Sequence, residues 1–282
     1  MTYCVGLSLD AGLMFMSDTR TNAGVDNISV FRKTKAWVTP GERVLVLMSA
    51  GNLATSQSVV SLLDERNRAA GDREAALMGQ PSMFQTATLV GRTLSEVIAR
   101  TTIAAGPKAE TSFGASFILG GQIKGGPPRL FLIYPEGNFI EATQDTPFFQ
   151  IGETKYGKPI IVRAYDPALS FAEAGRLLLV SFDSTLKANL SVGLPLDMTI
   201  YRRDSFTLDP PTRIEADNPY YRSVTQGWSA ALQATLDALP PMPVEQMAAA
   251  QPLTREPHLP TGERTDACDP PHGGLSAPHE PA

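Results

Sequence analysis

Two side chains near the start of the chain, Thr2 and Asp18, could take part in nucleophilic catalysis. If Met1 is removed, Thr2 carries both a hydroxyl group and a free α-amine, and that amine can accept the hydroxyl proton. A free α-amine has a pKa of about 7.7–8.0, so a useful neutral fraction exists near pH 7. A nearby lysine would lower the pKa of the amine, and an aspartate would hold that lysine charged and oriented. Threonine is small enough for a methionine aminopeptidase to act on Met-Thr, so we expect Thr2 to be the first mature residue.

The positions of the histidines exclude several other kinds of site. All three, His258, His272 and His279, lie near the C-terminus. The region before them therefore has no histidine for a Ser-His-Asp or Cys-His arrangement, or for a His-ligated metal. We expect neither a metal ion nor a cofactor, and any base in this domain must be another group.

A β-hairpin must position these residues, with strands predicted over residues 2–10 and 12–20. The sequence DAG between them favours a three-residue loop with Gly12 in the left-handed conformation. That loop would pair Cys4 with Asp18 and place Thr2, Cys4 and Asp18 on one face. A two-residue loop would turn Asp18 to the other face, where it could be a solvated strand-end acid. Cys4 offers a thiol on the same face, but with no histidine to lower its pKa we expect it to be buried and inert.

The rest of the chain predicts an α+β fold. Runs of strands alternate with pairs of helices, which favours antiparallel sheets with helices packed outside them. We expect two stacked antiparallel sheets with helix layers on both outer faces, a four-layer αββα sandwich. The predicted strands are 28–38, 43–49, the short segments SFGASFILGGQI, PRLFLIYP, NFIEAT and FFQIG, and later LDMTIYRR and SFTLD; the predicted helices are 53–67, 83–105, 170–189 and 219–239.

Composition divides the chain into a domain of residues 1–240 and a proline-rich tail of residues 241–282. Ten prolines fall in the 43 residues from Pro240 onward, so we expect this tail to be disordered. The net charge of −5 and the lack of a basic run argue against nucleic acid as a partner. We expect no membrane association, because no apolar stretch approaches the ~20 residues that span a bilayer. Cys4 lies in the first strand and Cys268 in the tail, so we expect no structural disulfide between them, which favours the cytoplasm.

The stretches MTYCVGLSLDAGLMFMSDTRTNAGVDNISVFRK and VLVLMSAGNLATSQ resemble the proteasome β-subunit family of N-terminal-nucleophile hydrolases. Within that family they are most similar to the bacterial Anbu group, which is related to HslV, and the resemblance extends to about residue 240. It implies that Thr2 is the nucleophile, that Asp18 and Lys33 are its catalytic partners, and that Gly51 in SAGN forms the oxyanion hole. Without the resemblance, Gly51 is an ordinary turn glycine and Lys33 an ordinary edge lysine.

The sequence departs from the family pattern at several positions. Lys33 lies one residue nearer the aspartate than in proteasome subunits, so Lys35, on the same face of the predicted strand, is an alternative. In FFQIGETKYG, Glu153 replaces the serine that usually supports the nucleophile. In NLSVG, Asn189 and Ser191 lie near the positions of a further aspartate and serine. These changes could weaken the activity or narrow its substrates.

Three functions fit these features. The first is a threonine peptidase of proteasome type, and the second is an amidohydrolase that acts on a small amide or isopeptide. The third is a non-catalytic assembly subunit. The resemblance implies a large homo-oligomer, either a closed ring or an open spiral, with a peptide or amide substrate; the sequence does not indicate an ATPase partner. The last helix carries an apolar stripe that either packs on its own domain or contacts a neighbour: Tyr221, Trp228, Leu232 and Leu236.

Overall fold

The computed structural model describes residues 2–22, 28–68, 76–106 and 112–245. The described residues up to 236 form one compact unit, and the described residues 237–245 belong to a second. The domain boundary predicted at residue 240 stays a prediction. The predicted disorder of the tail beyond residue 245 falls outside the described residues and stays a prediction.

Two five-stranded antiparallel sheets and one small hairpin contain the described strands. The strands are Tyr3–Leu9 (β1), Gly12–Asp18 (β2), Arg20–Asn22 (β3), Ile28–Val30 (β4), Thr34–Thr39 (β5), Arg43–Gly51 (β6), Ala115–Ile123 (β7), Arg129–Ile133 (β8), Phe139–Glu141 (β9), Phe148–Gly152 (β10), Leu196–Arg202 (β11) and Thr212–Ile214 (β12). Sheet 1 has the order β10-β1-β2-β11-β12, and sheet 2 has the order β5-β6-β7-β8-β9. Among the described strands, β3 pairs only with β4.

The α-helices begin and end close to the predicted positions, because local signals fix their ends. Ser82 caps the second helix by accepting the N–H of Gln85, and Ser170 forms a reciprocal capping box with Glu173 at the fourth. A short helix with Pro159 in its first turn was not predicted. The helices are Leu53–Arg68 (α1), Met83–Ala105 (α2), Lys158–Ala164 (α3), Phe171–Ala188 (α4) and Pro219–Ala238 (α5). Within the described ranges, no helix is both long and apolar enough to cross a membrane.

Three separate apolar clusters show that the layers stack as predicted. Cys4, Phe15 and Ile118 belong to the cluster between the two sheets. A second cluster joins sheet 2 to α1 and α2, and a third joins sheet 1 to α3, α4 and the start of α5. Along each inner strand, every second side chain enters the cluster between the sheets, and the side chains between them enter the cluster on the helix side. This follows from the two-residue period of a strand. The predicted αββα sandwich is therefore confirmed.

Three local predictions are wrong. The first hairpin has a two-residue turn, because Leu9 pairs with Gly12 and Cys4 with Ser17 rather than with Asp18. The strand predicted over 28–38 is two strands, since the backbone between β4 and β5 bonds to Thr19 on one side and to Ser49 on the other.

The third wrong prediction is the strand in SFTLD. Asp204 and Phe206 adopt left-handed backbone angles there, and the Ser205 hydroxyl donates to the carbonyl groups of Arg202 and Thr207. Such local side-chain bonds compete with strand pairing. The strand that pairs with β11 on the side away from β2 is β12, which begins at Thr212.

Candidate active site

Thr2 lies at the entrance to β1 and is held there by the end of β10. It is 8% exposed, and its carbonyl oxygen accepts the N–H of Glu153 at 2.6 Å. Gly152, the last residue of β10, has a φ of +85°, and a Cβ at this position would lie 1.9 Å from the Thr2 carbonyl oxygen. Only glycine allows the two backbones to approach so closely, so Gly152 fixes the position of Thr2.

Asp18 reaches the same end of sheet 1, although not on the predicted face. The two-residue turn puts Asp18 in phase with Met14 and Met16, which face the α4 layer, whereas Cys4 faces the other sheet. The prediction that Thr2, Cys4 and Asp18 share one face is therefore wrong. Asp18 still adjoins Thr2, because its Oδ1 accepts the N–H of the next residue, Tyr3, at 2.9 Å.

Lys33 forms a buried ion pair with Asp18. Its Nζ lies 2.5 Å from Asp18 Oδ1 and also donates to the Arg20 carbonyl at 2.8 Å. The two side chains are 3% and 0% exposed, and the Gly193 N–H reaches the second carboxylate oxygen at 3.4 Å. Burial raises the pKa of the Asp18 carboxyl above its ordinary value, while the Lys33 ammonium opposes that shift. The pair places a cation beside the backbone of Thr2 and Tyr3.

Lys35 points elsewhere, so the two candidate lysines do not share a face. Lys33 lies before β5 begins, where strand alternation does not apply. The Lys35 ammonium instead donates to Asp64 at 3.0 Å, next to Trp37, whose indole N–H donates to the other carboxylate oxygen. Burial pushes the pKa of Asp64 up, but the hydrogen bonds from Trp37 and Lys35 outweigh it and lower the pKa. Of the two lysines, only Lys33 pairs with Asp18.

Glu153, Asn189 and Ser191 form a connected polar chain that begins next to Thr2. The Glu153 carboxylate is buried, with the residue 6% exposed, and its Oε2 accepts the Asn189 side-chain amide at 2.9 Å. Its Oε1 accepts the N–H of Lys155 at 3.4 Å. Asn189 Oδ1 in turn accepts the Ser191 N–H at 2.9 Å. The segment after α4 therefore touches both carboxylates, Glu153 through Asn189 and Asp18 through Gly193.

Gly51 ends β6 at the same end of the molecule. The Ser49 N–H donates to the Lys33 carbonyl at 3.0 Å, and the Ser49 carbonyl accepts the Cys4 thiol at 3.6 Å. Gly51 itself has a φ of +105°, and a Cβ there would lie 2.5 Å from the Gly114 carbonyl oxygen. The backbone conformation at residue 51 therefore requires glycine, independently of any role of the Gly51 N–H in an oxyanion hole.

Cys4 has the surroundings of an inert thiol. It is completely buried, and burial raises the pKa of the thiol, with Lys33 opposing that shift. The thiol form donates a hydrogen bond but is a poor nucleophile compared with the thiolate.

A cavity of about 640 Å³ opens beside Lys33. Leu47 and Val60 supply apolar lining, and Ser49 and Gln57 supply polar groups. The cavity could accept a substrate side chain next to the ion pair. Across the described ranges, no group of three or more His, Cys, Asp or Glu side chains is arranged to hold a metal ion.

Three contacts that complete the site are absent from the sequence-based prediction: the Arg20 carbonyl, the Gly193 N–H and the glycine at 152. The first two are backbone groups, which carry no signal in the residue type. Gly152 could have been found, because it immediately precedes Glu153 in the segment FFQIGETKYG.

Solved structures of three proteins are similar to this chain over almost their whole length. They are the Anbu complex from Pseudomonas aeruginosa in a helical assembly (50% identity, TM-score 0.81), Anbu (ancestral β-subunit) from Yersinia bercovieri (52%, 0.79) and an Anbu (Gly-1) mutant from Hyphomicrobium sp. strain MC1 (49%, 0.79). Each alignment covers 86% of this chain and 99% of the other. A scan against protein-family models and a search of curated proteins found no match.

Proposed function

This chain belongs to the Anbu group of proteasome-type proteins, and we propose that it is a threonine-type amide hydrolase whose nucleophile is Thr2. The observation that carries the proposal is the buried ion pair between Lys33 and Asp18, which adjoins the Thr2 backbone through the Tyr3 N–H. An ion pair at this depth costs desolvation energy that a pair of apolar residues would avoid. Its position at the entrance to β1 supports a chemical role.

The proposed reaction begins when Met1 has been removed and the α-amine of Thr2 is neutral. The Thr2 hydroxyl oxygen attacks the carbonyl carbon of the amide, and the α-amine accepts the hydroxyl proton. The Lys33 ammonium favours the neutral form of that amine, and Asp18 holds Lys33 in place. The Gly51 N–H stabilises the oxyanion, an effect worth roughly 3–4 kcal/mol for one such donor.

The intermediate then collapses and is hydrolysed. The C–N bond breaks, the departing nitrogen takes the proton from the α-ammonium, and an ester of Thr2 remains. Water attacks the ester carbonyl while the α-amine accepts a proton from it. Breaking the C–O bond releases the carboxylic acid and returns the proton to the Thr2 oxygen.

The substrate is proposed to be a peptide, with one side chain in the cavity beside Lys33. A cavity of about 640 Å³ can hold a whole amino-acid side chain. An amidohydrolase for a small amide or isopeptide uses the same chemistry, so a comparison of peptides with small amides separates the two.

Labelling with a peptide epoxyketone is expected to modify Thr2 alone. Such a reagent bonds to both the hydroxyl and the free α-amine of an N-terminal threonine, so the label also requires Met1 to be absent. The measurement is the intact mass followed by mapping of the labelled peptide. The Cys4→Ala variant serves as the control and should label like the wild type, because burial keeps the Cys4 thiol protonated.

Two results would contradict this assignment. If the label maps to Cys4, the nucleophile is the Cys4 thiol and not the Thr2 hydroxyl. A native protein that keeps Met1 and takes no label would favour the non-catalytic assembly subunit instead.

We also propose that the chain forms a homo-oligomer, with an open spiral favoured over a closed ring. The solved Anbu complex from Pseudomonas aeruginosa is a helical assembly. On α5, Tyr221 packs against this chain's own core, but Leu232 is 46% and Leu236 55% exposed. The start of the apolar stripe on α5 is therefore buried in this chain, whereas its exposed part, Leu232 and Leu236, is suited to a contact with a neighbouring subunit.

Sedimentation velocity at micromolar protein concentration is expected to show a species many times heavier than one chain. The Leu232→Arg variant should weaken the assembly if the exposed half of the α5 stripe contacts a neighbour, because a charge at an apolar contact is costly to desolvate. A wild-type monomer with full activity would contradict the assembly.

A further inference from the structure

We infer that Glu153 is the counter-ion and positioning residue for the α-ammonium group of Thr2, and so sets the pH range in which the site works. The inference rests on the proposed role of Thr2 as an N-terminal nucleophile. The family resemblance implies a serine at this position, and this chain has Glu153 instead.

The backbone places Glu153 directly opposite Thr2. Tyr3 pairs with Gly152 in the antiparallel ladder between β1 and β10, so the next pair outward joins Thr2 to Glu153. The 2.6 Å bond from the Glu153 N–H to the Thr2 carbonyl shows that this pair forms. The ladder itself ends at Tyr3 and Gly152, so it is this backbone bond that brings Glu153 next to Thr2.

The Glu153 carboxylate accepts two hydrogen bonds, but the groups that donate them do not balance its charge. It accepts one bond from the Asn189 amide and one from the Lys155 N–H, and both donors are neutral. No lysine or arginine in the described part of the chain forms an ion pair with it, although the residue is only 6% exposed. A buried carboxylate is usually paired with a cation. Removing Met1 creates one at Thr2.

The other charged groups around Thr2 do not balance the charge of the Glu153 carboxylate, because each of them is paired with another group or is exposed. From β2, Asp18 is neutralised by Lys33 at 2.5 Å. From β3, the Arg20 guanidinium donates to the Leu190 carbonyl and makes no ion pair with a carboxylate that the structure describes. Lys155 is exposed, and Arg32, next to Lys33, is exposed as well.

The titratable groups of β1 itself are uncharged. Burial raises the pKa values of both the Tyr3 phenol and the Cys4 thiol. Tyr3 hydrogen-bonds Ser181, away from Glu153, and Cys4 donates to Ser49. Neither competes with Glu153 for the ammonium group of Thr2.

The sign of the effect follows from the charge. A carboxylate beside the α-amine stabilises its protonated form and so raises the pKa of the amine. The amine must be neutral to accept the hydroxyl proton, so hydrolysis should rise with pH through that raised pKa. Removing the charge of Glu153 should move the rise to lower pH. Lys33 lowers the pKa of the amine, but its ion pair with Asp18 weakens that effect without removing it.

The test measures the Thr2 amine directly and needs no hydrolytic activity. Full-length protein with Thr2 as its first residue, verified by intact mass, is trace-labelled with acetic anhydride between pH 5 and 10. Mass spectrometry of the N-terminal peptide gives the midpoint at which the amine becomes reactive. The Glu153→Gln variant keeps an oxygen that can accept from Asn189, and its thermal melt is recorded alongside. Glu136→Gln removes the same charge from an exposed turn between β8 and β9.

We expect Glu153→Gln to lower the midpoint by about one pH unit, as loss of an adjacent opposite charge requires. Glu153→Asp should keep most of the raised value, and Glu136→Gln should not change it. An unchanged midpoint in folded Glu153→Gln overturns the inference, and so does equal lowering in Glu136→Gln. If Glu153→Gln fails to fold, a wild-type midpoint at or below 7.7–8.0 overturns it as well. The expected shift in a protein that hydrolyses nothing supports the role of Glu153 and contradicts the proposed function instead.

Discussion

The Thr2→Ala variant is expected to lose hydrolysis by a factor on the order of 10⁴ or more, the scale seen when a covalent nucleophile is removed. Alanine keeps the free α-amine and the backbone bond to Glu153 but lacks the hydroxyl that forms the ester. The fold should be unaffected, because no hydrogen bond of the Thr2 hydroxyl within the described residues holds the sheet. The measurement is kcat/KM on a peptide substrate with the thermal melt recorded beside it.

Two further variants control this result. Thr2→Ser restores a hydroxyl and should retain a measurable part of the activity, whereas Cys4→Ala should retain nearly all of it. Activity that survives in Thr2→Ala would exclude Thr2 as the nucleophile. Loss of activity in folded Cys4→Ala alone would assign the reaction to the thiol.

The Lys33→Met variant is expected to lose activity and to be less stable by about 3–5 kcal/mol at neutral pH. Methionine fills similar space, but it leaves the Asp18 carboxylate, which is 0% exposed, without its cation. Chemical denaturation measures the change in the free energy of unfolding. The activity should fall as well, since the cation that favours a neutral Thr2 amine has gone.

The stability loss in Lys33→Met should be smaller at pH 5 than at pH 8. Burial already raises the pKa of Asp18, and removing the Lys33 ammonium raises it further. Between the ordinary carboxyl pKa and this raised value, the folded state binds more protons than the unfolded state. The free energy of unfolding of the variant therefore falls as the pH rises through that range.

Lys35→Met is the matched control for this variant. Its ion pair with Asp64 has a similar geometry, at 3.0 Å, but the two side chains are 43% and 23% exposed. An ion pair that water reaches contributes about 0–1 kcal/mol, so the free energy of unfolding of Lys35→Met should differ little from that of the wild type. Equal losses in both lysine variants would contradict the special position of Lys33.

Local chemistry allowed the sequence to predict the elements of the fold. The four long helices begin and end close to the predicted residues, because apolar periodicity and the caps seen at Ser82 and Ser170 act within a few residues. Runs of strands between helix pairs were enough to predict two stacked sheets. The break between β4 and β5 was missed, because the backbone partners of that segment, Thr19 and Ser49, are distant in sequence. The helix α3 was missed because its seven residues are too few to show an apolar period.

The sequence also identified the residues of the candidate site, but the tertiary structure decided how they meet. The hairpin register predicted from DAG was wrong by one residue, since turn length alone decides which face Asp18 takes. Asp18 nevertheless adjoins Thr2, because it lies at the strand end and accepts a backbone N–H there. Sequence alternation could not choose between Lys33 and Lys35; the irregular backbone before β5 turns only Lys33 toward Asp18. Residue types and short-range periodicity are local properties, whereas register and loop direction depend on pairing with distant strands.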